Sequence, residues 1–265
     1  MPLSIYAGPA ALARIREHGL TPALFSHVLG ASGGPKWFVL AGIDRILFPA
    51  FFAESSQPVN VIGSSAGAFR SACFVQRDPV AAINRLAENY SQTVYSPKPG
   101  PGEITHKARE LIDYVMGRNG VMEVLTNRRF KLHVIAARCH GLMQHYGRYR
   151  QMLGLGVSAA ANTMNRRLLK KLYTRSVFSA PDSELQINDP YQLNTEYIEL
   201  GFNNVKDALL ASGSIPLVID GVERMVAAPE GMYRDGGLID YHFDLSFGPQ
   251  DGLVLYPHFY PRAIP

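Results

Sequence analysis

The stretch that decides the fold is VNVIGSSAGAFRSACFVQ, residues 59–76. Its first four residues, 59–62, are mostly β-branched and apolar and stop at Gly63, which is typical of a buried strand. The later residues, 66–76, have the composition of a helix that packs against a sheet. A strand, a tight glycine turn and a helix therefore follow one another directly.

A second unit of the same kind precedes this one. The run FSHVLG, residues 25–30, predicts a buried strand, and a glycine-rich loop leads from it into a predicted helix over 36–52. Pro35 suits the first turn of that helix, where a missing N–H costs nothing. Because strands and helices alternate, the sequence predicts an α/β fold with a mostly parallel sheet between helices.

The rest of the chain shows further elements without an internal repeat. A loop rich in proline and glycine is predicted at 93–103. The other expected elements are mainly helix over 104–128, a strand over 130–138, a helix over 205–212, a turn at 233–237 and a strand over 252–256. Since 47% of the 265 residues are hydrophobic, we expect one compact domain over residues 1–265.

The composition narrows the classes of partner and of site. The formal net charge is only +4 and no dense basic run occurs, so we expect no nucleic-acid partner. The two cysteines, Cys73 and Cys139, form no CxxC pair and no Cys/His ligand cluster, which argues against a disulfide scaffold and a metal site. Without a secretion signal or an apolar run of roughly 18 residues, the prediction is a cytoplasmic protein.

The motif Gly63-Ser64-Ser65-Ala66-Gly67 matches G-x-S-x-G. A serine on a sharp strand-to-helix turn has its hydroxyl held clear of the sheet, and the flanking glycines keep Cβ atoms out of the bend. The helix that follows favours negative charge at its N-terminus. The sequence therefore predicts Ser65 as a nucleophile; the alternative is an ordinary tight turn that happens to contain serines.

The glycine-rich loop at residues 30–34 is a candidate oxyanion hole. Its backbone amides, those of Ser32, Gly33 and Gly34, lie between a predicted strand and helix and are able to converge on an anion. A phosphate-binding loop is the competing interpretation, although neither of the usual glycine patterns for phosphate is present; a plain flexible turn is another. Lys36 either adds positive charge beside this loop or is simply solvated.

A serine hydroxyl needs a base, and the sequence offers several candidates. None of the eight histidines lies in a recognisable motif. Asp235 stands in Asp235-Gly236-Gly237, where two small residues allow close approach to its carboxylate. Because Asp-Gly is also a common turn dipeptide, the local pattern alone leaves a turn and a catalytic base equally open.

Taken together, these segments resemble the patatin-like phospholipase family. Residues 29–37 are similar to its glycine-rich loop G-G-G-x-[RK]-G, with Ser32 and Trp37 in place of the first and last glycines, and residues 63–67 are similar to its nucleophile elbow. Residues 211–216 resemble its A-S-x-A-I-P segment, with Ser214 replacing alanine, and residues 235–237 resemble its D-G-[GA]. Four motifs in the family's order span residues 29–237.

The resemblance carries its own expectations. It implies a three-layer α/β/α fold, a Ser65–Asp235 dyad and the hydrolysis of acyl esters of phospholipids or other lipids, without metal or organic cofactor. Some similar proteins transfer acyl groups instead of hydrolysing them. Members often continue with further helices, so a longer parent protein is expected. A carboxylate base must lie in a dry environment that raises its pKa, which predicts an enclosed apolar acyl pocket.

Three alternatives stay open at this level. One is an α/β-hydrolase esterase whose triad combines Ser65 and Asp235 with His242 or His258, and another is a non-catalytic lipid-binding protein of the same fold. The third concerns residues 163–178, where leucines alternate with Lys and Arg. This stretch is either a surface helix packed on the core or a helix that rests on a membrane.

Overall fold

A computed structural model describes residues 4–249 and 251–260. A mostly parallel central sheet lies between helices, which confirms the predicted α/β class and is consistent with a three-layer α/β/α arrangement. The strands are β1 (Phe25–Gly30), β2 (Val59–Ser64), β3 (Phe130–Cys139), β4 (Tyr173–Ser179), β5 (Gln186–Asn188), β6 (Thr195–Glu199), β7 (Met232–Asp235), β8 (Ser246–Gly248) and β9 (Leu253–Leu255). The α-helices are α1 (Pro9–His18), α2 (Ala41–Ile46), α3 (Ala66–Phe74), α4 (Pro79–Gln92), α5 (Pro101–Met116), α6 (Gly120–Thr126), α7 (Arg148–Met164), α8 (Val205–Ser212) and α9 (Gly237–Asp240).

The order of strands in the sheet is β6-β4-β3-β2-β1-β9. Strands β9, β1, β2 and β3 are mutually parallel, whereas β4 is antiparallel to β3 and β6 is parallel to β4. The two strand–turn–helix units found in the sequence thus supply the centre of the sheet.

The long strand β3 has two partners on the same edge. Its first half pairs in parallel with β2, and its last four residues pair with β7, which is antiparallel to β3. In this register Ser64 lies opposite Ile135, and Asp235 lies opposite Ala136. Because Ile135 and Ala136 are adjacent in β3, the carboxyl ends of β2 and β7 face each other along this edge.

Hydrophobic residues cover both faces of the sheet. On one face, alternate residues of the strands, such as Val28, Val61 and Val134, pack in a large core with apolar side chains of α2, α3, α4, α5 and α8. On the other face, Leu29 and Ile62 belong to a smaller core that continues to the short β5–β8 ribbon. This alternation follows from the two-residue period of a strand buried on both faces.

Several predicted elements differ in detail from the structure. The expected helix over 36–52 is broken into the 3₁₀ segment Gly34–Leu40, α2 and the π-helical segment Leu47–Phe51, where Pro49 lacks the N–H of a regular helix. The expected helix over 104–128 is two helices, α5 and α6. The expected turn at 233–237 is confined to Gly236, because Asp235 ends strand β7 and Gly237 begins α9.

The prediction of one amphipathic helix over 163–178 is also wrong. These residues form the end of α7, a 3₁₀ segment (Arg166–Lys171) and most of β4. Leu169 is buried inside the protein, and the guanidinium of Arg175 is buried in ion pairs with Asp240 and Asp189. Strand pairing with β3 and the buried ion pairs stabilise this arrangement more than the local preference for a helix stabilises the alternative. The leucines of residues 163–178 therefore do not form one exposed helix face that could rest on a membrane.

Candidate active site

Ser65 lies at a strained bend between β2 and α3. Its backbone has φ 54° and ψ −130°, a combination outside the φ/ψ regions that residues other than glycine normally adopt. Gly30, Gly63 and Gly67 make this bend sterically feasible, because a Cβ atom on any of them would overlap the backbone at this crossing. The motif thus has the sharp strand-to-helix geometry that its pattern predicts.

The structure brings Ser65 and Asp235 into direct contact. The Ser65 hydroxyl donates a hydrogen bond of 2.7 Å to Oδ2 of Asp235, although the two residues are 170 positions apart. The other oxygen, Oδ1, accepts the Gly237 N–H at 2.6 Å. The contact follows from the register of β3, which sets the ends of β2 and β7 against each other.

The environment of Asp235 favours its neutral form. Only 6% of the residue is exposed, and this burial raises the pKa of its carboxyl group from 3.8 to about 6. The hydrogen bonds from Ser65 and Gly237 oppose that shift because they stabilise the charged form. A carboxylate with a pKa of about 6 is a better proton acceptor near neutral pH than an ordinary aspartate.

The end of α8 and the residues that follow it hold both members of the pair. Ser212 accepts the Ser65 N–H at 2.9 Å through its hydroxyl, which donates in turn to the Ile135 carbonyl at 2.7 Å. The Ser214 carbonyl accepts the Asp235 N–H at 3.0 Å. Sequence reasoning noted this segment only for its resemblance to a family motif and assigned its serines no role, because nothing local shows which distant backbone groups they meet.

The three residues of the predicted oxyanion loop have different surroundings. The buried Ser32 hydroxyl donates to the Ser64 carbonyl at 3.0 Å and so stabilises the backbone directly before Ser65. Gly33 lies under the ring of Phe259, with φ 147°. Of the three, Gly34 alone lines the same cavity as Ser65.

A second backbone amide lies directly beside Ser65. Ala66, the first residue of α3, lines the cavity together with Ser65 and Gly34. Among the described residues, neither the Gly34 N–H nor the Ala66 N–H has an acceptor within the chain. Unpaired N–H groups at the start of a helix favour an anion. The local signal for Ala66 was its place directly after the nucleophile.

The cavity has a volume of about 240 Å³ and is lined mainly by apolar side chains. Helices α3, α4, α5 and α8 and the segment after α8 supply its walls. The apolar lining residues are Trp37, Ala66, Phe69, Leu86, Tyr90, Tyr95, Ile104, Ala108, Leu111, Leu210, Ile215 and Ile219. Such a space is suited to an apolar chain whose reactive end lies at Ser65.

The two histidines considered for a triad are bound to each other. Nε2 of His258 lies 3.1 Å from Nδ1 of His242, and Nδ1 of His258 lies beside the backbone of Tyr260. Neither imidazole makes a hydrogen bond to Ser65 or Asp235. Lys36 lies near these aromatic residues, with its ammonium 4.9 Å from the centre of the Tyr260 ring. The described geometry therefore pairs Ser65 with Asp235 and with no histidine.

Two further classes of site were sought in the described part of the chain. Within residues 4–249 and 251–260, no three His, Cys, Asp or Glu side chains are grouped so that they could hold a metal ion. Over the same residues, no helix has the length and the hydropathy that crossing a bilayer requires. Comparisons of the chain with protein-family models, with curated proteins and with solved structures gave no match.

Proposed function

We propose that this chain is a serine acyl hydrolase of the patatin-like kind, which cleaves fatty-acyl esters of lipids through a Ser65–Asp235 dyad. The observation that carries the proposal is the 2.7 Å hydrogen bond from the Ser65 hydroxyl to the buried Asp235 carboxylate. A nucleophile and its base need contact of this kind. The strained elbow and the apolar cavity beside it support the same conclusion.

In the first half of the reaction, Ser65 attacks the ester carbonyl as Asp235 removes its proton. The carbonyl oxygen becomes negative, and the N–H groups of Gly34 and Ala66, two residues that line the cavity with Ser65, donate to it. The tetrahedral intermediate then breaks its bond to the alcohol oxygen. The alcohol leaves with the proton that Asp235 has held, and the acyl group stays on Ser65 as an ester.

In the second half, water replaces the alcohol. Asp235 takes a proton from the water as its oxygen attacks the acyl-enzyme carbonyl, and the same amides stabilise the charge. When the bond to the Ser65 oxygen breaks, that oxygen recovers the proton and the carboxylic acid is released. An alcohol in place of water gives acyl transfer by the same steps, so the residues serve either reaction.

The substrate class follows from the cavity and from the resemblance. An acyl chain of a lipid ester is apolar along its length and polar only at the ester, which fits a cavity lined by apolar side chains that ends at Ser65. The glycine loop, the elbow and Asp235-Gly236-Gly237 resemble the patatin-like phospholipases in the same order. We therefore propose phospholipids or other acyl glycerolipids as substrates.

The test is hydrolysis of p-nitrophenyl esters by the protein and by its Ser65→Ala and Asp235→Asn variants. Each variant is expected to lose at least about 10³-fold in kcat/KM, because each removes a member of the pair that breaks the bond. His258→Ala is the matched control and is expected to keep its activity. Near-native rates in either dyad variant would show that the assignment is wrong.

Labelling distinguishes an enzyme from a lipid-binding protein of the same fold. A fluorophosphonate probe is expected to modify the wild-type protein at Ser65 and to leave Ser65→Ala unmodified, as mass spectrometry of the digested protein would show. A non-catalytic protein would bind a fatty acid in the cavity but remain unlabelled. A large loss of activity in His258→Ala would instead favour a triad.

A further inference from the structure

Helix α7 (Arg148–Met164) exposes most of its large apolar side chains, and Leu155 is the one that packs against the core. The residues that it buries against the protein are Gln151, Gly154 and Ser158, which are polar or small. Its exposed residues include Tyr149, Met152, Leu153, Val157 and Met164, which share one face at helical spacing. An apolar face of this size on a helix marks an interaction surface. We call these five exposed residues the α7 face.

The helix buries polar groups because its inner side is held by hydrogen bonds. The Gln151 side chain donates to the Tyr146 carbonyl and accepts the Leu217 N–H at 3.0 Å. The Ser158 hydroxyl lies 2.7 Å from the hydroxyl of the buried Tyr173. These contacts fix the orientation of α7, so its apolar residues are not able to turn inward without leaving buried polar groups unpaired.

Basic residues flank the α7 face at both ends. Arg148 and Arg150 are exposed at its start, and Arg167, Lys170 and Lys171 are exposed just after its end. The sequence has no Asp or Glu from residue 124 to residue 181. Acidic side chains from other segments approach both ends of the helix: Asp220 and Glu223 act by their charges on Tyr146, and the buried Asp240 pairs with Arg166. An apolar face between basic groups is complementary to an anionic lipid surface.

The inner side of helix α7 contacts a segment of the candidate active site. Leu217, whose N–H donates to Gln151, lies in the chain between Ile215 and Ile219, and both of these line the cavity beside Ser65. Ile215 and Val218 are themselves partly exposed. The helix that carries the α7 face is therefore bonded directly to the segment that lines the cavity.

We propose that the α7 face docks this protein on membranes rich in anionic lipids and so presents the cavity to lipid substrates. The presentation of the cavity to lipid substrates rests on the proposed function, whereas docking on the membrane does not depend on it. A second copy of the chain fits this face less well, because a two-fold contact would bring the basic ends of two α7 helices together. Like charges opposed in this way are unfavourable.

The experiment is co-sedimentation of the full chain with vesicles of phosphatidylcholine alone and with an added third of phosphatidylglycerol. Wild type is expected to bind the anionic vesicles and to be released by salt. The variant Met152→Glu/Leu153→Glu is expected to bind about tenfold less, since it puts two carboxylates at the lipid interface. Arg148→Glu/Arg150→Glu is expected to lose binding to the anionic vesicles to a similar extent, about tenfold.

The matched control is Met122→Glu/Ile46→Glu. Met152 and Met122 are each 50% exposed, and Leu153 and Ile46 are 61% and 63% exposed, so both double variants remove the same surface and add the same charge. The control is expected to bind as wild type does. Equal losses in both double variants, or no binding by wild type, overturn the proposal; thermal melts confirm that each variant is folded.

Two readouts separate this proposal from its alternatives. If sedimentation equilibrium shows a dimer that Met152→Glu/Leu153→Glu converts to monomer while vesicle binding is unchanged, the α7 face is a subunit contact and the proposal is wrong. If the protein is a hydrolase, this variant is expected to cleave a short soluble ester at the wild-type rate and vesicle phospholipid about tenfold more slowly. Vesicle binding is measured without any hydrolysis, so a protein that lacks hydrolase activity still tests whether the α7 face docks on membranes.

Discussion

At the scale of single residues, the decisive property is the proton affinity of Asp235. Burial raises its pKa to about 6, while the hydrogen bonds from Ser65 and Gly237 limit the rise. The same desolvation that makes the carboxylate a stronger base also makes the neutral acid common at mildly acidic pH. The activity that we propose for the dyad therefore depends on one ionisation.

We predict that kcat/KM falls as the pH drops below about 6. Asp235 must be charged to accept the Ser65 proton, so activity is expected to decrease about tenfold for each pH unit below its pKa and to be constant above it. The measurement is kcat/KM for a soluble ester from pH 4.5 to 8, with the alcohol product quantified by chromatography. A profile that stays level between pH 5 and pH 7 would contradict this role.

A second prediction concerns Ser212, whose hydroxyl holds the backbone N–H of Ser65. Ser212→Ala leaves the buried Ser65 N–H without its acceptor, at a cost of about 1–3 kcal/mol in the free energy of unfolding. Because the strained backbone of Ser65 loses a support, kcat is expected to fall at least about tenfold with little change in KM.

Ser214→Ala is the control for that experiment. The Ser214 hydroxyl donates only to the Leu210 carbonyl, which already accepts the Gly213 N–H. Its removal is expected to leave kcat and KM unchanged within about twofold, since surplus hydrogen bonds contribute little. Equal effects of the two variants on kcat would show that Ser212 has no special positioning role.

At the scale of elements, the site depends on how closely β1, β2 and α3 approach one another. Gly30 ends β1, Gly63 is in β2 and Gly67 is in the first turn of α3. Their backbones approach so closely that a Cβ atom on any of the three would overlap neighbouring backbone atoms. This crossing sets the direction of α3 and hence the place of the Ala66 N–H relative to Ser65.

We predict that Gly67→Ala destabilises the protein by about 3 kcal/mol or more, because the new methyl group would overlap the Gly30 carbonyl. Gly42→Ala, in α2, is the matched control: its Cβ meets nothing within 4 Å. That change is expected to stabilise by about 0.5–1 kcal/mol, since alanine is the better helix former. Urea unfolding of the three proteins measures both effects, and equal stabilities would contradict the packing argument.

At the scale of the whole molecule, a polar cluster is buried beneath the second face of the sheet. Asn60 of β2 contacts His133 of β3, with 3.0 Å between Oδ1 and Nε2, and His27 of β1, with 3.4 Å between Nδ2 and Nε2. Both histidines are fully buried. Burial lowers the pKa of His27 to about 4 and that of His133 to about 3.

This cluster predicts a loss of stability in acid. The unfolded chain binds protons at both histidines near pH 6.5, whereas the folded chain does not until about pH 4 or below. The free energy of unfolding therefore falls as the pH drops through this window, by up to about 1.4 kcal/mol per pH unit for each histidine. His27→Gln/His133→Gln is expected to flatten this dependence in urea unfolding between pH 4.5 and 6.5. The same slope in both proteins would disprove it.

Part of the candidate site was predictable from local sequence. The sharp bend around Ser65 was predictable, because a strand, two glycines and the start of a helix lie within a few residues and together determine the backbone conformation between them. Strand β3 and helix α8 were found with almost their observed bounds for the same reason. The proposed role of Asp235 as base was not predictable from local pattern, which left a turn equally open; only the resemblance to a family favoured it.

The sequence by itself determined the alternation of strands and helices and the strained bend at Ser65, since periodicity and glycine placement act between neighbouring residues. The tertiary structure alone decided that β7 meets the end of β2 along β3, that Ser212 bonds to Ser65, and that residues 163–178 end in strand β4. Those outcomes depend on the register and burial of segments far apart in the chain. A contact across 170 residues is formed by packing, which no local pattern encodes.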